Sequence, residues 1–262
     1  MDVQDSFDAY KPAKIAAMVE SVGVAKAQLP ILQMFVLAML AGAFIGFGGA
    51  AYTAVMTGVD PGFGPFRLVG GMVFTIGLIL VVIGGAELFT GNALMVMAAV
   101  DRKIPVQLLL RSWLVVYVGN FVGAAGLAVV FGASGVLDGS VGQTADTIAA
   151  GKAALPATEA FVRGALCNAL VCLAIWLSFA ARSVVGKVFA MLWPISVFVL
   201  LGLEHSIANM YFFPQAWAAG SSVDIALATQ NIVWVTFGNI VGGAGGVALS
   251  YRFAYLGPVA RR

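Results

Sequence analysis

A glycine-rich pattern of eight residues occurs twice in this chain and restricts the folds that the chain can adopt. Gly119–Gly126 reads GNFVGAAG and Gly238–Gly245 reads GNIVGGAG, so GN-x-VG-x-x-G is present at both places. Repetition of a local pattern within one chain is the sequence signature of a structure built from similar units. We therefore expect two related halves, each containing one copy of the pattern.

The composition indicates that both halves lie in lipid. Hydrophobic residues make up 61% of the 262 residues and charged residues only 10%, whereas about 25% of a soluble domain is charged. A helix that crosses a membrane needs about 20 apolar residues. Six apolar runs reach this length, at about 30–57, 67–99, 108–132, 157–181, 188–213 and 228–255. The sequence therefore predicts an all-α membrane protein with six transmembrane helices.

A second repeated pair, a glutamate followed by an asparagine, aligns the halves as spans one to three and four to six. Asn92 follows Glu87 by five positions in the second run, and Asn209 follows Glu204 at the same spacing in the fifth run. Because each half has an odd number of spans, the second half enters the membrane with the opposite orientation. Such an inverted repeat is typical of channels and transporters, and we expect the pore to lie between the halves.

The domain organisation follows from this alignment and from the positions of the charges. A channel domain over 29–257 contains repeat one at about 29–132 and repeat two at about 157–255. The segment 1–28 lacks the apolar core of a signal peptide, and we interpret it as an amphipathic helix on the membrane surface. Eleven of the 14 Lys and Arg residues fall on its side of the membrane, which is therefore cytoplasmic. We expect an inner (plasma) membrane protein with both termini, including a short tail at 258–262, in the cytoplasm.

Two glutamates lie inside apolar runs, where an ionisable group is costly unless it is paired or faces a cavity. Glycine and polar residues surround Glu87 and Glu204, which predicts that spans two and five break at mid-membrane. A broken helix presents backbone N–H groups and the positive end of its dipole to the pore, which favours an anion. A carboxylate that faced the path would repel anions. We therefore interpret both glutamates, with Asn92 and Asn209, as residues that brace the breaks.

His205 is the only histidine of the chain and lies in the second break. Imidazole titrates near physiological pH, so a histidine at this depth is suited to exchange a proton with a weak-acid anion or to attract it. The alternative is a neutral histidine that is hydrogen-bonded to the surrounding structure. Its position in a repeated break favours the functional interpretation, and Thr90 in the first break is the expected partner across the pore.

Other functional classes lack the residues that they require. The net charge of +2 gives no nucleic-acid footprint. Cys167 and Cys172 lie five apart in one apolar run, and with a single histidine they form neither a metal site nor a catalytic cluster. We therefore expect no enzymatic activity, no metal and no cofactor. A water or glycerol pore would carry paired Asn-Pro-Ala motifs, and the sequence contains none.

Three segments resemble the formate/nitrite transporter family. They are Gly85–Gly91 (GAELFTG), Glu204–Met210 (EHSIANM) and Asn168–Trp176 (NALVCLAIW). The resemblance extends over nearly the whole chain. It implies an aquaporin-like protomer of six helices with broken second and fifth helices, assembled as a homopentamer in which each protomer holds its own pore.

The resemblance also implies roles for individual residues. It places His205 centrally with Thr90 opposite, and Asn168 and Asn239 nearby. Lys152, which taken alone would be a solvated surface charge, matches the vestibule lysine of the family and would attract anions. The implied constrictions are apolar side chains that would otherwise be assigned to packing. They are Phe74 and Phe198 on the outer side, and Leu78, Leu88, Phe89 and Val171 on the inner side.

The implied substrate is a small monovalent weak-acid anion. Glu204–Met210 followed by Pro214 is most similar to formate channels, whereas Glu87 is shared with nitrite channels. We expect formate, with nitrite as the alternative and hydrosulfide or another short monocarboxylate after it. Because the apolar constrictions oppose a bare charge, we expect pH-dependent transport in which protonation near His205 lets the neutral acid cross.

Overall fold

The computed structural model describes residues 9–257, and over this range the chain is helical without strands. In chain order the segments are α1 (Pro12–Ala27), α2 (Ile31–Met56), α3 (Gly64–Phe74), α4 (Ile76–Gly84), a 3₁₀ segment (Gly91–Met95), α5 (Val96–Val100), α6 (Val106–Ala133), α7 (Ser140–Ala153), α8 (Ala157–Ala180), α9 (Val184–Leu200), α10 (Ser206–Ala218), α11 (Ile225–Ile240), a π-helical segment (Val241–Leu249) and α12 (Ser250–Tyr255). The expected tail at 258–262 and residues 1–8 lie outside the described residues.

The six expected spans are present, and spans two and five each consist of two pieces. Span two is Gly64–Gly84 followed by Gly91–Val100, and span five is Val184–Leu200 followed by Ser206–Ala218. The unbroken spans are Ile31–Met56, Val106–Ala133, Ala157–Ala180 and Ile225–Tyr255. Both breaks begin at a glycine with a positive φ, +85° at Gly85 and +65° at Gly202. A side chain disfavours this backbone conformation, which explains why a glycine follows the first piece of each broken span.

The repeated glycine pattern lets the last span of each half approach the first span closely. A methyl group at Gly123 would overlap the carbonyl oxygen of Met39, and a methyl group at Gly242 would overlap that of Ala165. Small residues permit this backbone approach between membrane helices. The same contact therefore occurs once in each half, and the predicted inverted repeat with broken second and fifth helices is confirmed.

The outer surface of the helical bundle is apolar. Leu32, Leu114 and Val129 are 75%, 67% and 63% exposed, respectively. Apolar surface of this extent needs a nonpolar environment. Within residues 9–257, five helices are long and apolar enough to cross a bilayer singly, and span five consists of two shorter pieces. The protein is a multi-pass membrane protein.

Two further helices, α1 and α7, lie at opposite ends of the bundle. Ile15 and Val19 of α1 pack with Leu94 and Met97 of span two and with Trp176 of α8. Helix α7 packs against α10 and α11 at the other end. We call the end of the pathway beside α1 the inner mouth and the end beside α7 the outer mouth.

An ion-pair cluster joins α1 to the ends of spans two and six. Lys103 donates to the Glu20 carboxylate, and Arg252 donates its Nε–H to Asp101 Oδ1 over 2.8 Å. Burial raises the pKa of Glu20 above its usual range, although Lys103 opposes this effect. Burial acts in the same direction on Asp101, but the Arg252 guanidinium and its other neighbours outweigh it and hold the pKa of Asp101 below its usual range. Charge as well as apolar contact therefore holds α1 in place.

Candidate anion pathway

Asn239 of span six holds the backbone of the break in span five. Its Nδ2 group donates to the carbonyl oxygens of Gly164 (2.8 Å) and Glu204 (3.0 Å), and its Oδ1 accepts the N–H of Ser206 (2.9 Å). All three polar functions of this fully buried side chain are therefore used on backbone. The structure places Asn239 at the break, as expected, where it contacts the chain on both sides of His205.

Asn120 of span three makes the corresponding contacts at the break in span two. Its Nδ2 group donates to Ala38 (2.8 Å) and Glu87 (2.9 Å), and its Oδ1 accepts the N–H of Phe89 (2.9 Å). Asn120 was not predicted from the sequence to belong to the site. The repeated glycine pattern could have identified it, because Asn120 is the asparagine of the first copy and Asn239 is the asparagine of the second.

At the outer mouth, Lys152 and Asn209 both bind the Glu204 carboxylate. Lys152 Nζ lies 2.9 Å from Glu204 Oε1, and Asn209 Nδ2 donates to Oε2 over 2.7 Å. Asn231 accepts a second hydrogen bond from Asn209 (2.7 Å) and donates to the Lys152 carbonyl oxygen (2.8 Å). The Lys152 ammonium also lies 5.3 Å above the ring of Phe212. Lys152 is thus an ion-paired residue, whereas the sequence suggested an unpaired charge.

At the inner mouth, Lys26 of α1 completes an equivalent set. Lys26 Nζ lies 3.0 Å from Glu87 Oε1 and donates to Asn92 Oδ1 over 2.9 Å, while Asn92 Nδ2 donates to Glu87 Oε2 over 2.8 Å. Trp113 donates its Nε1–H to the Asn92 carbonyl oxygen (3.0 Å). Both glutamates and both asparagines predicted to brace the breaks therefore lie in lysine-containing clusters, one at each mouth.

Lys26 was not identified from the sequence, although the repeat contains its position. Lys26 and Lys152 are 126 positions apart, the same separation as Met39 and Ala165. Helix α1 therefore stands in the first half where α7 stands in the second. Helix α1 is polar and precedes the first apolar run, so an alignment of the apolar spans alone does not contain Lys26.

His205 and Thr90 form a direct hydrogen bond between the two breaks. Thr90 Oγ1 lies 2.9 Å from His205 Nε2, and His205 Nδ1 accepts the backbone N–H of Ala208 over 3.1 Å at the start of α10. An accepting Nδ1 carries no proton, so the neutral ring holds its proton on Nε2 and donates it to Thr90. The Thr90 hydroxyl hydrogen has no acceptor among residues 9–257, which makes it available to a small anion.

Aromatic rings lie beside this pair. The rings of Phe74 and Phe198 are 5.6 Å apart in an edge-to-face arrangement, and the ring of His205 stacks on Phe198 at 6.1 Å and 19°. The two phenylalanines predicted to form the outer constriction are therefore in contact. One of them also touches the imidazole.

The side chains predicted to form the inner constriction are buried in the same apolar cluster. Leu78, Leu88 and Val171 are 2%, 2% and 1% exposed. The Phe89 ring packs edge-on against Tyr117 (4.9 Å) and Trp113 (6.0 Å) on the side of span three. Phe89 is thus anchored by aromatic contacts to α6.

Asn168 of α8 fixes the backbone of Thr90. Its Nδ2 group donates to the carbonyl oxygens of Asn239 (2.7 Å) and Thr90 (3.2 Å), and the Cys172 thiol contacts the same Thr90 oxygen at 3.5 Å. A methyl group at Gly243 would overlap Asn168 Nδ2. The corresponding residue of the first half is Ala124, and there the helix stays α-helical. The π-helical segment therefore occurs where span six must make room for Asn168.

A cavity of about 440 Å³ opens at the inner mouth. Lys26, Glu87 and Asn92 provide its polar groups, and the other walls are mainly apolar, including Leu88, Val81, Ile175 and Phe179. Within residues 9–257, no three His, Cys, Asp or Glu side chains are arranged to hold a metal ion. The polar groups on the walls are those of the cluster around Lys26.

Comparisons with known proteins agree with this geometry. The family model described as "Formate/nitrite transporter" matches residues 13–253. The chain is 38% identical over 279 residues to the formate channel FocA of Escherichia coli strain K12, and the match covers 98% of each chain. A solved structure described as an FNT family ion channel superimposes with a TM-score of 0.86 at 31% identity, over 92% of this chain and 98% of that chain. A second, described as a pentameric formate channel with formate bound, gives 0.80 at 38% identity, over 86% and 98%.

Proposed function

This chain belongs to the formate/nitrite transporter family, and on that basis we propose that it conducts formate through a pore in each protomer. The observation that supports this most directly is the Thr90–His205 hydrogen bond, which joins the two breaks and leaves one hydroxyl hydrogen free for a small anion. Relatives named as formate channels support the choice of substrate. The expected absence of enzymatic activity stays a prediction.

The lysine at each mouth attracts the anion by exchanging partners. The Glu204 carboxylate neutralises Lys152, and a formate carboxylate offers Lys152 the same kind of acceptor. Glu204 retains its hydrogen bond from Asn209 when Lys152 turns to the substrate. Glu204 then keeps a hydrogen-bond donor, so the exchange costs less than removal of Lys152, which would leave a buried charge without a counter-charge. Lys26 and Glu87 perform the same exchange at the inner mouth.

Between the mouths, the apolar constrictions favour the uncharged acid. Phe74 and Phe198 on one side, and Leu78 and Leu88 on the other, offer no groups that replace the hydration of a carboxylate, so a bare anion pays a desolvation cost there. The Thr90 hydroxyl is the one polar donor that we place between these rings and side chains. Formate is stabilised at Thr90 and crosses the constrictions as formic acid.

Proton coupling at His205 requires a change in the hydrogen bonds at the start of α10. The neutral ring cannot give up its Nε2 proton without gaining one at Nδ1, and Nδ1 is occupied by the Ala208 N–H. Release of such a helix cap costs about 1 kcal/mol, and an imidazolium also faces the positive end of the helix dipole. The relay therefore operates only when a neighbouring anion offsets these costs, which couples protonation to substrate entry.

We propose an assembly from the comparisons and an orientation from the charges. The related structure described as pentameric supports a homopentamer, which we place in the inner membrane. Both termini are cytoplasmic by the positive-inside rule, which places α1 and Lys26 at the cytoplasmic mouth. The apolar outer surface then faces lipid or neighbouring protomers.

Nitrite is the second candidate substrate. It is a monovalent anion of similar size, and Glu87 in the first break is the residue that our sequence analysis associates with nitrite channels. The contacts of Thr90 and His205 accept either anion, since both offer oxygen acceptors to the same hydroxyl.

Flux into proteoliposomes loaded with a pH-sensitive dye tests the proposed function. Formate, nitrite and hydrosulfide are compared at equal gradients and at two pH values, with the Thr90→Val variant and protein-free liposomes as references. We expect rapid formate-dependent acidification by the wild type. Nitrite or hydrosulfide flux with little formate flux would contradict formate as the substrate but would still support a pore. Flux no higher than in protein-free liposomes would contradict a channel function.

A further inference from the structure

One cation at the outer mouth has no counter-charge. Arg67 lies in the first turn of α3, and it forms no ion pair or side-chain hydrogen bond within residues 9–257. The two other cations of this end are paired, Lys152 with Glu204 (2.9 Å) and Arg163 with Glu159 (2.8 Å). Arg67 therefore supplies positive potential that no neighbouring carboxylate cancels by direct contact.

The guanidinium of Arg67 lies against the break in span five. A methyl group at Gly202 would be 2.6 Å from Arg67 Nη2, and Gly202 is two residues before Glu204. The α3 face that contains Arg67 also contains Gly71, which packs on Ser196 of α9, and Phe74, which forms the aromatic contact with Phe198. At a rise of about 1.5 Å per residue, Arg67 lies roughly 10 Å outward from Phe74 along the helix. An anion that approaches the two rings from outside passes this guanidinium.

At the inner mouth, the position equivalent to Arg67 holds an uncharged residue. The break glycines Gly85 and Gly202 are 117 positions apart, and the residue at that separation from Arg67 is Val184. No atom lies within 4 Å of the place that a side chain at Gly85 would occupy. Both mouths share a lysine, a glutamate and an asparagine, so Arg67 is a cation of the outer mouth that the repeat does not duplicate at position 184.

We propose that Arg67 is the outer recruiting residue, whose guanidinium binds the entering anion before the Phe74–Phe198 constriction. This inference rests on the proposed function as an anion pathway. A planar guanidinium can bind both oxygens of a carboxylate at once, whereas an ammonium acts as a point charge. The surrounding outer loops carry Asp60, Asp138, Asp146 and Asp224, so Arg67 adds positive potential to that of Lys152 at a mouth where most of the loop charges are negative.

Substrate-concentration curves in vesicles of known sidedness test the proposal. With formate added at the outer face, Arg67→Gln should raise the half-saturating concentration roughly three- to tenfold while the maximal flux changes little. The half-saturating concentration of Arg67→Lys should fall between those of the wild type and Arg67→Gln, because lysine keeps the charge but cannot bind both carboxylate oxygens at once. Added salt should raise the half-saturating concentration of the wild type more than that of Arg67→Gln, since it screens the charge that the variant lacks.

Two further variants make the result specific. Arg163→Gln removes one positive charge from the same end, at a side chain that is 40% exposed, and it should leave the half-saturating concentration unchanged. Val184→Arg places a cation at the inner mouth, where Val184 is 62% exposed, and it should lower the half-saturating concentration for formate added at the inner face.

The outcomes separate this inference from the proposed function. Absence of anion flux in the wild type would contradict the pathway itself. Normal wild-type flux with equal outer half-saturation in wild type, Arg67→Gln and Arg67→Lys would overturn only the role of Arg67. If Arg67→Gln does not assemble, Arg67→Lys and Val184→Arg decide the question, and an unchanged half-saturation in both would reject the proposal.

Discussion

Lys26 and Lys152 occupy equivalent positions at opposite mouths of the pathway, and each ammonium lies within 3.0 Å of a buried glutamate. The helices that carry them, α1 and α7, both lie outside the six spans. The two ends of the pathway are thus built by the same rule, from helices whose sequences match at the lysine, since Lys26–Pro30 reads KAQLP and Lys152–Pro156 reads KAALP.

Removal of either lysine should lower both stability and transport, and a second substitution at the paired glutamate should restore only the stability. Lys26→Met leaves Glu87, whose side chain is 7% exposed, without its counter-charge, and we expect a loss of about 3 kcal/mol of stability. Lys26→Met combined with Glu87→Gln should restore most of the thermal stability in detergent while formate flux stays low. Recovery of both stability and flux in the double variant would show that Lys26 serves only to neutralise Glu87. Lys152→Met with Glu204→Gln provides the matched pair at the outer mouth.

Thr90→Val should reduce formate flux about tenfold or more with little change in assembly. Valine fills the same space but removes the hydroxyl that receives the His205 Nε2 proton and donates to the substrate, and a hydrogen bond to a charged group is worth about 1.5–3 kcal/mol. Thr90→Ser keeps the hydroxyl and should retain most of the flux. Equal flux in Thr90→Val and wild type would remove Thr90 from the pathway.

His205→Asn distinguishes the cap from the proton relay. Asparagine is a good N-cap residue, so α10 should begin normally and the melting temperature should change little, whereas His205→Ala also loses the bond to Ala208. If the ring exchanges protons, His205→Asn should flatten the pH dependence of formate flux between about pH 5 and 8. An unchanged pH profile in a folded His205→Asn channel argues against the relay.

Asp101→Asn should destabilise the junction between the ends of spans two and six in a pH-dependent way. Arg252 is 1% exposed, and loss of its carboxylate partner should cost about 3 kcal/mol near pH 7. The pKa of Asp101 is lowered in the folded state, so its ionised form adds stability above the ordinary value of 3.8 and this contribution is lost as pH falls below it. The difference in melting temperature between variant and wild type should therefore shrink in acid. The exposed pair Arg163–Glu159 is the control, and Glu159→Gln should change stability by less than about 0.5 kcal/mol.

Gly243→Ala should disturb the site, whereas Gly245→Ala should not. An added methyl group at Gly243 would overlap the amide of Asn168, which holds the Thr90 carbonyl, while no atom lies within 4 Å of one at Gly245. We expect Gly243→Ala to lower both thermal stability and flux, and Gly245→Ala to match the wild type in both. Similar behaviour of the two variants would mean that the π-helical segment does not make room for Asn168.

The sequence predicted the spans and breaks because a repeated motif marks both. The second apolar run was expected at 67–99 and is observed at Gly64–Val100, and the contact of His205 with Thr90 follows from the position of both residues in matching breaks. The hydropathy pattern does not indicate a role for Lys26, because α1 is charged and lies before the first apolar span. The proton position on His205 depends on the backbone angles that bring the Ala208 N–H onto Nδ1, and these angles are not encoded in residue types alone.

The separation between equivalent positions is 126 residues for Lys26 and Lys152 but 117 for Glu87 and Glu204. The nine-residue difference falls between the first and second spans of each half. The connector at 57–63 is four residues longer than its counterpart at 181–183, α2 is two residues longer than α8, and α3 begins three residues earlier than α9 when the halves are aligned. Distances inside the packed spans are fixed by buried contacts, whereas a longer surface loop costs little entropy. Chain length therefore differs between the halves at one surface connection and at the helix ends beside it, which makes 57–63 the natural place to insert a fluorescent reporter without shifting either break.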